Sequence, residues 1–151
     1  MYLNRKSLAV FALIATLLVS GTLVASAAES AVVDAADSFL HDINENGYYT
    51  ISPEEVNTQR MVRPNLFILD VRTSSEVEEG KIPGAVHIQL NQHAQSLDQL
   101  PENKDATIYV YCKAGTRGAY AVAALHMLGW TDAYNMSGGI LAWNDAGFPT
   151  E

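Results

Sequence analysis

Apolar positions follow two different periods along the chain, and these periods predict its secondary structure. Between Ser30 and Ile43 apolar residues recur at helical spacing, which predicts an amphipathic helix. Short apolar runs bounded by turn residues predict buried strands, and longer stretches rich in Ala and Leu predict helices. The expected strands are Tyr48–Ile51, Leu66–Leu69, Ala85–Ile88, Thr107–Tyr111 and Ala133–Met136. The further helices are expected over Pro53–Met61, Ser74–Glu79, Thr116–Leu128 and Gly139–Ala146.

Strands and helices alternate with short connections, which is the pattern of an α/β fold with an open parallel sheet and helices on both faces. We expect an N-terminal helix and turn over residues 29–48 and one main domain over residues 49–151. Ser52 is expected to cap the helix that begins at Pro53, with Glu55 completing a capping box. In such folds ligands bind beyond the carboxyl ends of the strands.

The first 28 residues have the pattern of a targeting segment. Arg5 and Lys6 precede an uncharged apolar stretch over residues 8–24, and Ala25-Ser26-Ala27 offers a signal peptidase site. This predicts a cleaved signal peptide, a periplasmic or secreted protein, and no stable membrane association after cleavage. The alternative is a retained membrane anchor, because an apolar run of about 17 residues is near the lower limit for spanning a bilayer.

Composition narrows the functional classes. The chain has 151 residues, of which 48% are hydrophobic and 17% charged, so it is expected to fold rather than to be disordered. Its 17 acidic and 9 basic residues give a formal charge of −8, and loss of Arg5 and Lys6 would make it −10. We therefore expect no nucleic acid as partner. Cys112 is the one cysteine, which excludes an internal disulfide and a multi-cysteine zinc site.

Cys112 lies between the clearest strand and the clearest helix of the sequence. The free amides of a helix start, with Gly115 allowing the loop to curl, would form a cradle for an anion. The same amides, with Lys113 and Arg117, would stabilise a thiolate on Cys112 and make it a nucleophile. The alternative is a buried structural cysteine at the end of a strand.

Several segments resemble the rhodanese family of sulfurtransferases. The spacing C-x-x-G-x-R in Cys112–Arg117 is similar to the family's active-site loop. Three further segments match in the expected order: Leu69-Asp70-Val71-Arg72 followed by Glu76; Gly80-Lys81-Ile82-Pro83-Gly84-Ala85; and Leu128-Gly129-Trp130 with Asn135 to Trp143. The sequence departs from the family at Val77, Lys81 and Gln89, none of which is the nucleophile.

The resemblance implies transfer of a sulfane sulfur through a persulfide on Cys112. Cys112 would take sulfur from thiosulfate or a related small anionic donor and pass it to cyanide or a thiol. Lys113 and Arg117 would hold the donor. The loop amides would stabilise the persulfide, and they belong to Ala114, Gly115, Thr116 and Arg117. This chemistry requires neither a metal nor an organic cofactor.

Asp70, Arg72 and Glu76 are expected to support the site. Arg72 and Glu76, four positions apart, are expected to pair with each other, and Asp70 to accept hydrogen bonds near the end of its strand. Among the histidines, His87 and His126 are assigned to structure, whereas His41 and His93 are expected to face solvent.

Two other functions remain as alternatives. Phosphatases and arsenate reductases of this fold have a loop one residue longer than the four residues between Cys112 and Arg117, which favours sulfur transfer. The second is a rhodanese-like module that binds a partner or a sulfur carrier without catalysis. The sequence leaves the donor, the acceptor and the oligomeric state open.

Overall fold

The computed structural model describes residues 29–151, in which helices alternate with strands. The first helix, α1, covers residues 29–42 and is followed by a 3₁₀ turn, Gly47–Tyr49. The next elements are β1 (Thr50–Ile51), α2 (Pro53–Val62), β2 (Phe67–Asp70), α3 (Ser74–Val77) and β3 (Val86–His87). Two 3₁₀ helices, Leu90–Gln95 and Leu97–Gln99, precede β4 (Ile108–Tyr111), α4 (Thr116–Met127), β5 (Ala133–Met136) and α5 (Gly139–Asp145).

The five strands form one parallel sheet in the order β1-β5-β4-β2-β3. Side chains from α1 and α4 pack on one face, and side chains from α2 and α5 pack on the other. This confirms the predicted α/β fold with an open parallel sheet covered on both faces. The order also places β4, the strand before Cys112, in the middle of the sheet, where its carboxyl end has neighbours on both sides.

The central strand β4 shows why the sheet is buried on both faces. Ile108 and Val110 belong to the core beneath α1 and α4, whereas Tyr109 and Tyr111 belong to the core beneath α2 and α5. Successive side chains of a strand point to opposite faces, so a continuous apolar run supplies both cores at once. Cys112 follows directly after the last residue of this buried strand.

The helix caps differ in part from the prediction. The Ser52 hydroxyl accepts a hydrogen bond from the Glu55 amide at 3.1 Å, as expected for an N-cap. The second half of that capping box is wrong, because the Glu55 carboxylate accepts a bond from the Gln59 side chain instead. A complete capping box occurs at α3, between Thr73 and Glu76. It is reciprocal, with each residue's side chain bonded to the other's amide.

The N-terminal helix α1 packs against the same core as the sheet. The rings of Phe39 and Tyr49 stack at 5.3 Å between centroids, and His126 of α4 lies 4.9 Å from Phe39. Within residues 29–151 no helix is both long and apolar enough to cross a membrane. The predicted signal peptide lies outside the described residues.

Candidate active site

Cys112 lies at the carboxyl edge of the sheet, directly after β4, where the sequence placed it. It is only 1% exposed. Its Sγ accepts a hydrogen bond from the Gly115 amide at 3.1 Å, so the loop curls back over the sulfur. A backbone N–H aimed at a sulfur favours its anionic form and its reaction as a nucleophile. One amide of the predicted cradle, that of Gly115, is thus directed at this thiol.

The loop owes its shape to Gly115 at the start of α4. Its φ of 104° lies in the region that disfavours other residues, and it is the N-cap of the helix. No side chain caps this end of α4, so the first-turn amides have no side-chain acceptor. Such amides bind anions, because they carry the positive end of the helix dipole. Ala114 and Thr116 are exposed at the mouth of the loop.

Helix α5 holds the loop from behind. The amides of Ile140 and Leu141 donate to the carbonyls of Cys112 and Lys113, at 2.8 and 3.2 Å. Gly139 permits this approach, because a Cβ at its position would lie 2.3 Å from the Cys112 carbonyl oxygen. In the sequence, Gly139 stands out only as part of the segment from Asn135 to Trp143. The structure shows that its missing side chain allows α5 to approach the loop from Cys112 to Arg117, called the nucleophile loop after the role predicted for Cys112.

Arg117 is held by Glu76. The two guanidinium nitrogens donate to the two carboxylate oxygens of Glu76, each at 2.7 Å. Arg117 holds the pKa of the Glu76 carboxyl well below its usual range. Glu76 raises the pKa of Arg117, and Cys112 adds to this rise. Arg117 therefore brings a fixed positive charge to the loop, and Glu76 partly neutralises that charge.

The predicted pairing of Arg72 with Glu76 is wrong. Arg72 is buried and forms its ion pair with Asp70 at 2.7 Å, and it also donates to the carbonyls of Glu76 and Gly80. Asp70 accepts the Arg72 amide as well, which fits the hydrogen-bond acceptor expected there. The reason is geometric, because α3 turns the Glu76 carboxylate towards Arg117 and leaves only its carbonyl for Arg72. Glu76 therefore contacts the loop directly through Arg117, whereas Asp70 and Arg72 form an ion pair that holds the Glu76 and Gly80 carbonyls.

Lys113 presents its charge at the mouth of the site. It is exposed, and no carboxylate of residues 29–151 lies within ion-pair distance of its ammonium. It lines a pocket of about 100 Å³ together with Glu76, Glu79 and Leu141. Of the two cations in the loop, Lys113 is the one without a carboxylate partner among residues 29–151.

Lys81 lies in the Gly80–Ala85 loop, where the sequence departs from the family. Its ammonium pairs with the Glu151 carboxylate and donates to the Ala85 carbonyl. Its backbone exchanges two hydrogen bonds with Glu151. This loop also supplies the Gly80 carbonyl that Arg72 holds, so Lys81 contributes to support of the site rather than to its chemistry.

The histidines have mainly structural positions. The His87 ring bonds to the Arg72 carbonyl at 2.8 Å, and His126 bonds to the Ala133 carbonyl at 3.1 Å. His41 is exposed, as expected. The expectation for His93 is wrong, because it is 8% exposed. Three residues make one turn of a 3₁₀ helix, so His93 lies on the same inward face as Leu90, which packs against the core. No three His, Cys, Asp or Glu residues among those described are arranged to hold a metal ion.

Comparison with known proteins agrees with this geometry. The rhodanese-like domain family matches residues 52–146, and the chain belongs to that family. A sulfurtransferase of Allochromatium vinosum is 28% identical over 99 residues, covering 66% of this chain and 91% of that protein. A probable adenylyltransferase/sulfurtransferase of Mycobacterium tuberculosis, MoeZ, is 38% identical over 96 residues, or 62% of this chain. This chain spans about a quarter of MoeZ (24%), and other relatives are named tRNA uridine(34) hydroxylases.

A solved structure supports the same assignment. The crystal structure of a rhodanese-related protein from Thermoplasma volcanium has a TM-score of 0.61 and 27% sequence identity to this chain. The likeness covers 69% of this chain and 98% of that one. Fold and family are therefore those of a rhodanese-like domain with sulfurtransferase homologues.

Proposed function

We propose that this protein is a sulfurtransferase that carries sulfane sulfur as a persulfide on Cys112. The observation that carries the proposal is the 3.1 Å hydrogen bond from the Gly115 amide to Cys112 Sγ, in a loop that ends at Arg117. A sulfur held by a backbone amide at a helix start is suited to bear negative charge before and after it accepts a second sulfur. Family membership and the sulfurtransferase relatives support the same reaction class.

The first half-reaction loads the enzyme. The Cys112 thiolate attacks the sulfane sulfur of thiosulfate, and a new S–S bond forms as the bond to the sulfonate sulfur breaks. Sulfite leaves with the electron pair of that bond, and Cys112 is left as a persulfide anion. The amide of Gly115 and the exposed start of α4 stabilise this anion.

The second half-reaction returns the free enzyme. Cyanide or a thiolate attacks the outer sulfur of the persulfide, and the Cys112 thiolate leaves with the electron pair. The product is thiocyanate or a persulfide of the acceptor. Because each half-reaction is a displacement at sulfur, neither requires an external oxidant or reductant, and the scheme is ping-pong covalent catalysis.

The choice of thiosulfate as donor rests on charge. Lys113 is exposed and pairs with no carboxylate of residues 29–151, and Arg117 brings a second positive charge to the loop. A small dianion matches a site with one accessible ammonium and a row of helix-start amides.

The deciding test is thiosulfate:cyanide sulfurtransferase activity of the chain from Glu29, with Cys112→Ser as the matched variant. We expect turnover that is lost in Cys112→Ser, and a mass increase of about 32 Da, one sulfur atom, on Cys112 after thiosulfate treatment. An adduct without turnover would indicate a different acceptor. If polysulfides, organic persulfides and mercaptopyruvate also produce neither turnover nor adduct, the non-catalytic binding module is the better assignment.

We also propose that residues 1–28 direct export to the periplasm or the outside of the cell. The support is the order of Arg5 and Lys6, the uncharged stretch and Ala25-Ser26-Ala27. Cell fractionation and N-terminal sequencing of the native protein test this. A chain that begins near Ala28 or Glu29 supports export with cleavage, whereas an intact N-terminus in the membrane fraction indicates the anchor.

A further inference from the structure

Asn135 is a buried polar residue that the proposed chemistry does not yet use. It lies near the carboxyl end of β5, in register with Val110 of β4, and is 7% exposed. Ala133, two residues earlier on the same strand, packs in the core beneath α4. Since alternate strand residues share a face, Asn135 also points towards α4. A carboxamide at such a position costs free energy unless it forms hydrogen bonds.

The carboxamide fills the space left by two glycines of the nucleophile loop and α4. A Cβ on Gly118 would lie 2.1 Å from Asn135 Oδ1 and 3.1 Å from its Cγ. A Cβ on Gly115 would lie 3.8 Å from Asn135 Nδ2. The side chain therefore lies beneath the junction of loop and helix, with its amino end at Gly115 and its oxygen at Gly118.

The oxygen of this carboxamide has no partner. Asn135 Oδ1 is buried and accepts no hydrogen bond within residues 29–151. Packing alone would be served by an apolar side chain without that cost, so an unpaired buried amide calls for another explanation. The orientation offers one, because the positive end of the carboxamide dipole faces Gly115, whose amide donates to Cys112 Sγ at 3.1 Å.

We propose that Asn135 is a positioning residue for Cys112. The Asn135 side chain holds Gly115 so that the Gly115 amide points at Sγ, and the dipole of the Asn135 carboxamide favours negative charge on that sulfur. The effect on turnover rests on the proposed sulfurtransferase function, whereas the effect on the thiolate does not. The charged groups around the loop are Lys113, Arg117 and Glu76, with Arg72 and Glu79 lining the pocket beside Lys113. None of them contacts Asn135 through a hydrogen bond or ion pair. Variants at Asn135 therefore leave these charges in place.

Two variants disturb the carboxamide from opposite sides. Asn135→Ala removes it, and Gly118→Ala displaces it, since the new Cβ would overlap Oδ1. Asn65→Ala is the control, because Asn65 is an exposed residue near the amino end of β2, far from the loop. The readout is the pH profile of Cys112 alkylation by iodoacetamide, together with kcat/KM for thiosulfate and thermal unfolding.

We expect the midpoint of the alkylation profile to rise by about one pH unit in both variants and to stay unchanged in Asn65→Ala. We expect kcat/KM to fall about tenfold, because less thiolate is present near neutral pH. A residue that only fills space would lower the melting temperature and leave the midpoint where it was.

Midpoints within about 0.2 pH unit of the parent in both variants would overturn the proposal, even with lower stability. Failure of both variants to fold would assign Asn135 to stability alone and overturn it too. If only one variant folds, the midpoint of its alkylation profile decides whether the proposal holds. A parent without turnover would refute the proposed function, yet the alkylation profile would still test Asn135.

Discussion

At the scale of single residues, the two cations of the nucleophile loop have different surroundings. Two hydrogen bonds to Glu76 hold the Arg117 guanidinium in one position, so this group is not free to move towards a ligand in solvent. Lys113 is exposed and has no carboxylate partner among the described residues. In the proposed reaction, Lys113 therefore attracts the anionic donor from solvent, and Arg117 stabilises charge at Sγ.

Lys113→Ala tests this division. We expect kcat/KM for thiosulfate to fall about tenfold at low salt, because the variant loses electrostatic attraction for a dianion. The parent should lose activity as salt rises from about 0.01 M to about 1 M, over which the Debye length shrinks from about 30 to about 3 Å. The variant should be nearly insensitive to salt.

Lys104→Ala is the matched control, since Lys104 lies before β4, at the opposite edge of the sheet from Cys112. It should keep the parent's salt dependence. Equal salt dependence of the parent and Lys113→Ala would show that Lys113 does not attract the donor.

At the scale of elements, the site depends on the contact between α5 and the loop after β4. The amides at the start of α5 hold the carbonyls of Cys112 and Lys113, and Gly139 makes room for this contact. On the other side, the capping box of α3 fixes Glu76, which in turn fixes Arg117. The loop is thus held by backbone bonds from one helix and by an ion pair to another.

Gly139→Ala should damage activity far more than an ordinary glycine replacement. The new Cβ would lie 2.3 Å from the Cys112 carbonyl oxygen and 2.6 Å from that of Lys113, which are backbone atoms and cannot turn away. We expect a loss of at least about a hundredfold in kcat, since small misplacements of catalytic groups have effects of this size.

Gly147→Ala provides the matched comparison for this prediction. Gly147 lies just after α5 and has a similar positive φ of 74°, but nothing lies within 4 Å of its added Cβ. The Gly147→Ala variant should lose only about 1–2 kcal/mol of stability, because Ala disfavours a positive φ, and its kcat should stay unchanged. Equal activities of the two variants would show that contact with the loop is not what Gly139 provides.

At the scale of the whole molecule, two buried histidines make stability depend on pH. Burial lowers the pKa of His93 and of His126 below the ordinary value of 6.5. As the pH falls through 6.5, the unfolded chain therefore binds protons before the folded one does. The free energy of unfolding should decrease with falling pH, by up to about 1.4 kcal/mol per pH unit for each histidine.

The slope between about pH 7 and 5 measures this effect, taken from denaturant unfolding at several pH values. His93→Gln and His126→Gln should each reduce the slope, whatever they do to stability at neutral pH. His41→Gln is the control, because His41 is exposed, and it should leave the slope unchanged. A slope that neither buried variant alters would contradict the assignment.

The elements themselves were largely predictable, because their signals are local. The apolar run before Cys112 and the Ala- and Leu-rich stretch after Gly115 indicated β4 and α4 closely. Predictions failed where several local solutions compete. Glu55 bonds to Gln59 rather than closing its capping box. His93 lies on a short 3₁₀ helix that the sequence did not predict, and there it shares the inward face with Leu90.

The sequence by itself determined the class of fold, the position of the cysteine that we propose as nucleophile, and the loop that surrounds it. Hydrophobic period, turn residues and the spacing from Cys112 to Arg117 are properties of neighbouring residues, and neighbours are what a sequence displays. The tertiary structure decided that Arg117 pairs with Glu76, 41 residues away, that Arg72 pairs with Asp70, and that Gly139 and Asn135 approach the loop. These contacts join distant segments, and only the packing of helices on the sheet brings them within bonding distance.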